Sequence, residues 1–231
     1  RDGLIAWVKG DGNAVDAITR QQATVQTGIT YTEGVLGQAF NYPIEGRGLR
    51  WPRDRMLSQT SNSFTITFWA FPRKSRASTV ESALGAVGTL NQSYAIWPEH
   101  GGFEPEFRDV RAGVGVSVGV NGVSVFEHAG GYLPSLLVYD RPISGWTCIA
   151  VVYEDRQPRL YLNGALVHTG LRSQRALVHP SLELGESYDP ASHHLYGAYD
   201  GLLDEVTVHS RPLTADEIAG IYAGGITGRC R

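Results

Sequence analysis

The densest acidic pairs inside candidate elements are Glu104-Pro105-Glu106 and Asp204-Glu205. Paired carboxylates are what glycosidic acid–base chemistry requires, when they face one cleft about 5 to 10 Å apart. The first pair falls in a proline-broken loop, and the second in a strand, where successive side chains point to opposite faces. His100, His168, His179 and His209 are scattered, without the His-Glu-x-x-His spacing that suggests zinc. The adjacent His193-His194 reads as a solvated loop, with a metal clip as the alternative. No Gly-x-Ser-x-Gly elbow occurs. The chemistry expected of this chain is binding rather than catalysis.

Two loops carry the residue types that binding would use. One holds Tyr94, Trp97, Glu99 and His100; the other holds Tyr188, Asp189, His193, His194, Tyr196 and Tyr199. Sugars present apolar C–H faces ringed by hydroxyls, so a surface that holds them needs flat aromatics beside carboxylates, amides and imidazoles. Glu127-His128, just after an apolar strand, joins the candidates, either as ligand contacts or as closure of a hairpin. Any one of these aromatics has core or edge packing as its alternative. On the binding reading, Trp97→Ala weakens glycan binding with little change in melting.

Composition narrows the partner. The chain has 231 residues and a formal net charge of −3. Its basic residues form no cluster longer than Pro72-Arg73-Lys74-Ser75-Arg76, so there is no electrostatic footprint for nucleic acid. No run reaches the ~20 apolar residues that span a bilayer, and Gly113 to Val125 is too short and too rich in glycine, so membrane insertion is not expected. The sequence starts at Arg1 without a leader pattern, which reads as a processed product or a piece of something longer. Cys148 lies in a strand and Cys230 beside the last residue. A buried thiol with a tail thiol, or a bridge between them, are both open.

The elements that must position these residues are strands. With 42% hydrophobic residues, 28 glycines and 11 prolines, the chain fits many short strands joined by tight turns. Leu4 to Val8, Gln38 to Tyr42 and Phe64 to Phe71 read as strands, the last alternating threonine with large apolar residues. Gly113 to Phe126 reads as a hairpin with Asn121-Gly122 as a type I′ turn. A second hairpin follows Trp146 to Tyr153, with Arg159 to Leu162, Asn163-Gly164 and Ala165 to His168. Gly201 to Val208 is the last strand. Thr214-Ala215-Asp216-Glu217 then has capping-box spacing for a helix with Ile218, Ile221 and Tyr222 on one face, ended by Gly224-Gly225. The expected fold is all-β: a two-sheet antiparallel jelly-roll sandwich with one short C-terminal helix, residues 1–231 forming one domain.

Several stretches together resemble a known family. Leu4-Ile5-Ala6-Trp7 followed by Gly10-Asp11-Gly12-Asn13-Ala14 and Asp16, then Gly37-Gln38-Ala39-Phe40, is similar to the start of laminin-G-like domains of the concanavalin A-like lectin/glucanase superfamily. Trp146-Thr147-Cys148-Ile149-Ala150-Val151-Val152-Tyr153 with Leu160-Tyr161-Leu162-Asn163-Gly164 resembles the family's central strand and hairpin, Cys148 standing where a histidine is familiar. Tyr199-Asp200-Gly201-Leu202-Leu203-Asp204-Glu205-Val206 and Arg211-Pro212-Leu213-Thr214 resemble its closing strand and helix start. The resemblance covers nearly the whole chain.

The resemblance implies a structural calcium held by the Asp11 and Asp204 carboxylates and the Gln38 main-chain carbonyl, all hard oxygen ligands. The alternative is that Asp11 caps a turn and Asp204 pairs with an arginine or accepts main-chain hydrogen bonds. Asp16 and Asn13 read as turn formers. The Glu-x-Asp-x-x-Glu pattern of laminarinase-type relatives is absent. A fold shared by lectins, glycosidases and adhesion domains does not fix function. The resemblance implies a secreted or cell-surface, non-catalytic carbohydrate-binding module, part of a larger extracellular enzyme or surface protein, or alternatively a module that meets another protein; on the residue types above, the expected glycan contacts are Trp97, Glu99, His100, Glu127, His128, Tyr188, His193 and Tyr196.

Overall fold

The computed structural model describes residues 2–25, 28–43, 48–51, 59–99, 110–185, 188–189 and 194–227. Among them the strands are, in chain order, β1 (Leu4–Val8), β2 (Thr24–Val25), β3 (Thr30–Glu33), β4 (Gln38–Tyr42), β5 (Leu49–Arg50), β6 (Phe64–Pro72), β7 (Tyr94–Ile96), β8 (Arg111–Gly119), β9 (Gly122–His128), β10 (Ser135–Tyr139), β11 (Thr147–Glu154), β12 (Gln157–Leu162), β13 (Ala165–Thr169), β14 (Leu177–His179), β15 (Glu183–Leu184), β16 (Tyr188–Asp189), β17 (His194–Leu195) and β18 (Gly201–His209). The helix α1 (Ala215–Thr227) follows.

Two sheets dominate. One runs β13-β12-β11-β6-β18-β4-β3, with β1 also on β18; the other runs β10-β9-β8-β7-β15-β5-β2, with β14 parallel to β8. Alternation along the strands sends Phe64, Ile66, Phe68 and Ala70 of β6 and Val114, Val116 and Val118 of β8 into one continuous core between the sheets. This is the two-layer jelly-roll sandwich expected. The helix lies on the outer face of the first sheet, where Ile218 and Leu213 pack on Ala150 and Val152 of β11.

The turns repay comparison with the sequence. Asn163 (φ 50°) and Gly164 (φ 84°) occupy the two left-handed positions of a type I′ turn between β12 and β13, as expected. The other hairpin differs: Gly119 pairs with Gly122, so the connection is Val120-Asn121. Asn121 is held in place because its side-chain amide accepts from the Arg76 N–H and donates to the Arg76 carbonyl. The capping box forms as read, with Thr214 Oγ1 accepting from the Glu217 N–H and Glu217 Oε2 accepting from the Thr214 N–H. Gly224-Gly225, however, does not end the helix. Gly225 is a point of close approach, where a Cβ would come within 2.5 Å of the Trp69 ring.

Candidate functional site

The first site grows out of a change of partner along β18. Its first residues, Gly201 to Leu203, pair with β4, whereas Val206 to His209 pair with β1. Between them the register against β6 shifts, and Glu205 takes φ 51°. This is a bulge, with one extra residue inserted into the strand. Leu203 and Val206 both enter the core, so Asp204 and Glu205 both turn away from it. The expectation that they lie on opposite faces is thereby corrected: strict alternation fails at the inserted residue.

The same junction brings the end of β1 and the start of β4 to Asp204. Asp204 Oδ2 accepts from the N–H groups of Val35 and Leu36 at 2.8 and 3.0 Å, and Asp11 Oδ1 accepts from the Gln38 N–H at 3.0 Å. Glycine makes the closeness possible. A Cβ on Gly34 would come within 2.6 Å of Asp204 Oδ2, and one on Gly10 within 3.2 Å of the Gln38 carbonyl oxygen. Asp204 is fully buried, and its other oxygen, Oδ1, has no hydrogen-bond partner among the described residues. Burial pushes its carboxyl up to about 7, against the main-chain donors that lower it, and the charge of Asp11 raises it further. Glu205, which accepts from Trp7 Nε1 at 2.6 Å, is also pushed up to about 7, by burial first and then by Asp204 and Asp11 among its neighbours. An orphaned buried carboxylate oxygen beside further acidic groups is the electrostatic condition that a hard cation relieves. Among the described residues there is no group of three or more histidine, cysteine, aspartate or glutamate side chains placed to hold a metal.

Asp16 and Asn13 are turn formers, as read. Asp16 Oδ1 accepts from the N–H groups of Trp7 and Ile18, and Asn13 Oδ1 accepts from that of Val15.

The second site lies on the outer face of the second sheet. The chain after β7 crosses β8 so closely that a Cβ on Gly115 would fall 2.7 Å from the Ile96 carbonyl oxygen, and one on Gly113 2.8 Å from the Glu99 carbonyl carbon. The glycines at alternate positions of β8 therefore make room for Trp97 and Glu99. Trp97 stacks on Tyr196 (centroids 5.3 Å apart, 13° between planes) and meets His128 edge-on at 5.4 Å and Tyr94 edge-on at 5.0 Å. His128 Nδ1 is 3.0 Å from the Pro98 carbonyl, and the Glu99 N–H donates to Ser181 Oγ at 2.9 Å. Tyr196, His128 and Glu99 are each half-buried. Trp97, His128 and Tyr196, from three separate stretches of chain, thus share one face, with the Glu99 main chain running over β8 beside it.

Two of the expectations change. Trp97 is only 4% exposed and belongs to a satellite core with Tyr94, Phe126 and Leu133, so it serves as the floor of this face rather than its contact surface. Glu127 turns away from the face altogether. Fully buried, it accepts hydrogen bonds from Tyr132 and Tyr153 (3.1 Å each) and Ser173 (2.5 Å). Burial pushes its carboxyl up to about 7 against the pull of these donors and of Arg175. It is a structural knot, since strand alternation sends Glu127 and His128 to opposite sides of β9. His100 and His193, with Glu104 and Glu106, lie outside the described residues, as does the side chain of Tyr188. Tyr199 is buried and donates to the Leu202 carbonyl. His168 pairs with Glu81 at 2.8 Å, away from both sites.

Two partners of Glu127, Ser173 and Tyr132, had no sequence signal, because they sit in loops with no periodicity. The bulge had one. Core residues at 203, 206 and 208 break the period of two at a single place, and that break is the pair Asp204-Glu205.

Two packed antiparallel sheets, with the first and last strands meeting at an acidic junction, define a jelly-roll sandwich. The chain belongs to the concanavalin A-like lectin/glucanases superfamily, whose laminin-G-type model matches residues 45–219. No curated protein sequence matches it. Among solved structures it is similar to domain 4 of AbnA, a GH43 extracellular arabinanase from Geobacillus stearothermophilus, in complex with arabinotriose (15% identity, TM-score 0.61, 95% of this chain and 98% of that one). It is also similar to the receptor-binding domain of botulinum neurotoxin type G (15% identity, TM-score 0.63, 96% and 51%) and to the binding domain of botulinum neurotoxin DC in complex with rat synaptotagmin II (11% identity, TM-score 0.66, 96% and 52%). The chain spans about half the length of these toxin domains.

Proposed function

We propose that this chain is a non-catalytic carbohydrate-binding module of a secreted or cell-surface protein, with a structural calcium at Asp11, Gln38 and Asp204. The observation that carries the reading is the face built on Trp97. A half-buried phenol braced by a buried indole, with an imidazole edge beside it, offers a sugar an apolar platform and a group for its hydroxyls. The arabinotriose complex of the similar arabinanase domain supports a glycan ligand. The calcium reading is supported by the orphaned Asp204 Oδ1; a cation there supplies the positive charge that lets these buried carboxylates stay ionised. A broad glycan array, run in calcium and again in chelator, tests the proposal. A reproducible hit supports it, and a blank on folded protein overturns it.

One observation favours protein as the alternative partner. Val80, Leu84, Val87 and Leu90 are 83, 68, 44 and 68% exposed within a single loop, and clustered apolar exposure of this kind marks protein-binding surfaces. A pull-down with and without Leu84→Ser and Leu90→Ser separates that reading from the glycan one.

A further inference from the structure

Residues 78–90 leave the sandwich as a closed loop, with the Ala77 N–H donating to the Asn91 carbonyl at 2.8 Å across its neck. We infer that this loop docks on a neutral or zwitterionic lipid surface, dipping its apolar tip into the membrane interface. Lipid takes the place of a protein partner for the loop, independently of the glycan reading. The contact is with the interface alone: no helix among the described residues is long and apolar enough to cross a membrane.

The tip can leave water without stranding charge. Leu84, Gly85, Ala86 and Val87 are exposed in succession, and Val80 and Leu90 are exposed on either side of them. From Ala77 to Asn91 the one charged residue is Glu81. Its carboxylate turns back to the sheets, where it accepts from the Val138 N–H at 3.0 Å and pairs with His168 at 2.8 Å. An apolar environment also demands that main-chain groups be satisfied within the protein. The Leu133 N–H donates to the Gly85 carbonyl and the Gly88 N–H to the Leu133 carbonyl. The Ser82 hydroxyl accepts from the Leu84 N–H and donates to the Leu84 carbonyl, and the Gly88 carbonyl accepts from the Tyr94 hydroxyl at 2.8 Å.

Composition separates lipid from protein. Protein hot spots are rich in tryptophan, tyrosine and arginine, with leucine and valine under-represented. The loop has none of the first three and presents two leucines and two valines. It has no lysine either, so nothing in it answers the negative potential of an anionic leaflet. Its base is firmly seated, since a Cβ on Gly88 would come within 2.5 Å of the Tyr94 hydroxyl and 2.7 Å of the Phe126 ring, in the satellite core beneath the Trp97 face. Gln92, two residues past Leu90, donates its N–H to the Tyr196 carbonyl at 3.0 Å. A docked loop therefore holds the Tyr196 stretch close to the membrane.

The test is flotation of the full chain with phosphatidylcholine vesicles, which carry no glycan. Val80, Leu84, Val87 and Leu90 hold about as many side-chain carbons as one myristoyl chain, so half-saturation is expected at about 0.1 to 1 mM accessible lipid. Phosphatidylserine or added salt leaves it unchanged. Leu84→Ser combined with Leu90→Ser, both at exposed positions, keeps the parent's melt and lowers lipid affinity by at least about tenfold. Leu84→Trp keeps binding, and brominated phosphatidylcholine quenches emission that it does not quench in the parent. No flotation of the parent at these lipid concentrations, equal flotation of the doubly substituted chain, dependence on phosphatidylserine, or an unquenched Leu84→Trp overturns the inference. So does a soluble protein retained by the parent and lost on double substitution, with no vesicle binding, which returns the loop to a protein partner. With no sugar present, none of these results bears on the glycan array.

Discussion

The Trp97 indole and the Tyr196 phenol stand 13° from parallel with their centroids 5.3 Å apart, and of the two only the phenol is half-buried rather than buried. The indole braces the phenol, which is the ligand contact on the proposed reading. Tyr196→Ala is therefore expected to lower glycan affinity by about tenfold, and His128→Ala similarly, since each removes a contact worth about 1.4 kcal/mol. Both variants should keep a cooperative melt, because each side chain sits at the rim. Binding isotherms beside thermal melts check this; affinity unchanged in both variants moves the site elsewhere.

Trp97→Ala behaves differently. The sequence alone suggests a loss of binding with little change in melting, but a tryptophan packed on Tyr94, Phe126 and Leu133 leaves a cavity when truncated. The cost expected is about 3 to 5 kcal/mol, or on the order of 10 °C in melting temperature for a chain of this size. A thermal melt within a degree or two of the parent would return Trp97 to the surface.

Calcium should raise the melting temperature and a chelator should lower it. A ligand bound only by the folded state stabilises by about 2.7 kcal/mol at a concentration a hundred times its Kd, which is roughly 5 to 10 °C here. Asp204→Ala removes the orphaned oxygen, and in that variant the difference between calcium and chelator should vanish. Identical melts of the parent chain in both conditions would contradict the metal site.

Glu127 gives a pH signature. Its carboxyl is pushed from 4.5 to about 7 in the folded chain, so between these values the folded state binds more protons than the unfolded one. Stability contributed at this position is thus greatest below about 4.5 and falls as pH rises to about 7, by on the order of 3 kcal/mol. Burial pushes His209 down to about 4, which tilts the opposite way over a similar window, so the comparison must be between the parent and Glu127→Gln. The variant should gain on the parent as pH rises from 4.5 to 7, measured by denaturant unfolding. A difference independent of pH would mean that Glu127 is not titrating in its buried knot.

Much of the architecture was legible because it rests on local rules. The alternation from Phe64 to Phe71, the Asn163-Gly164 turn and the Thr214–Glu217 box each carry their own physical signature over a few residues. The aromatic face was legible only in part: types and loops could be read, but not which rings would be covered. Whether Trp97 is floor or surface depends on Tyr196, a hundred residues away, and on glycines in β8 that let the chain cross. Asn121-Gly122 misled for the same reason, since the bond that decides that turn runs from Asn121 to Arg76. Asp204-Glu205 was misread by applying alternation through a bulge, which the apolar residues at 203, 206 and 208 mark and the pairing of β18 with two successive neighbours explains.

The most direct test of the account is a glycan array on the parent chain and on Tyr196→Ala, side by side in calcium. The account predicts that the parent binds a defined set of glycans and that Tyr196→Ala, folded to the same melting profile, loses them. A blank array for the parent, or hits that survive unchanged in Tyr196→Ala, would contradict it.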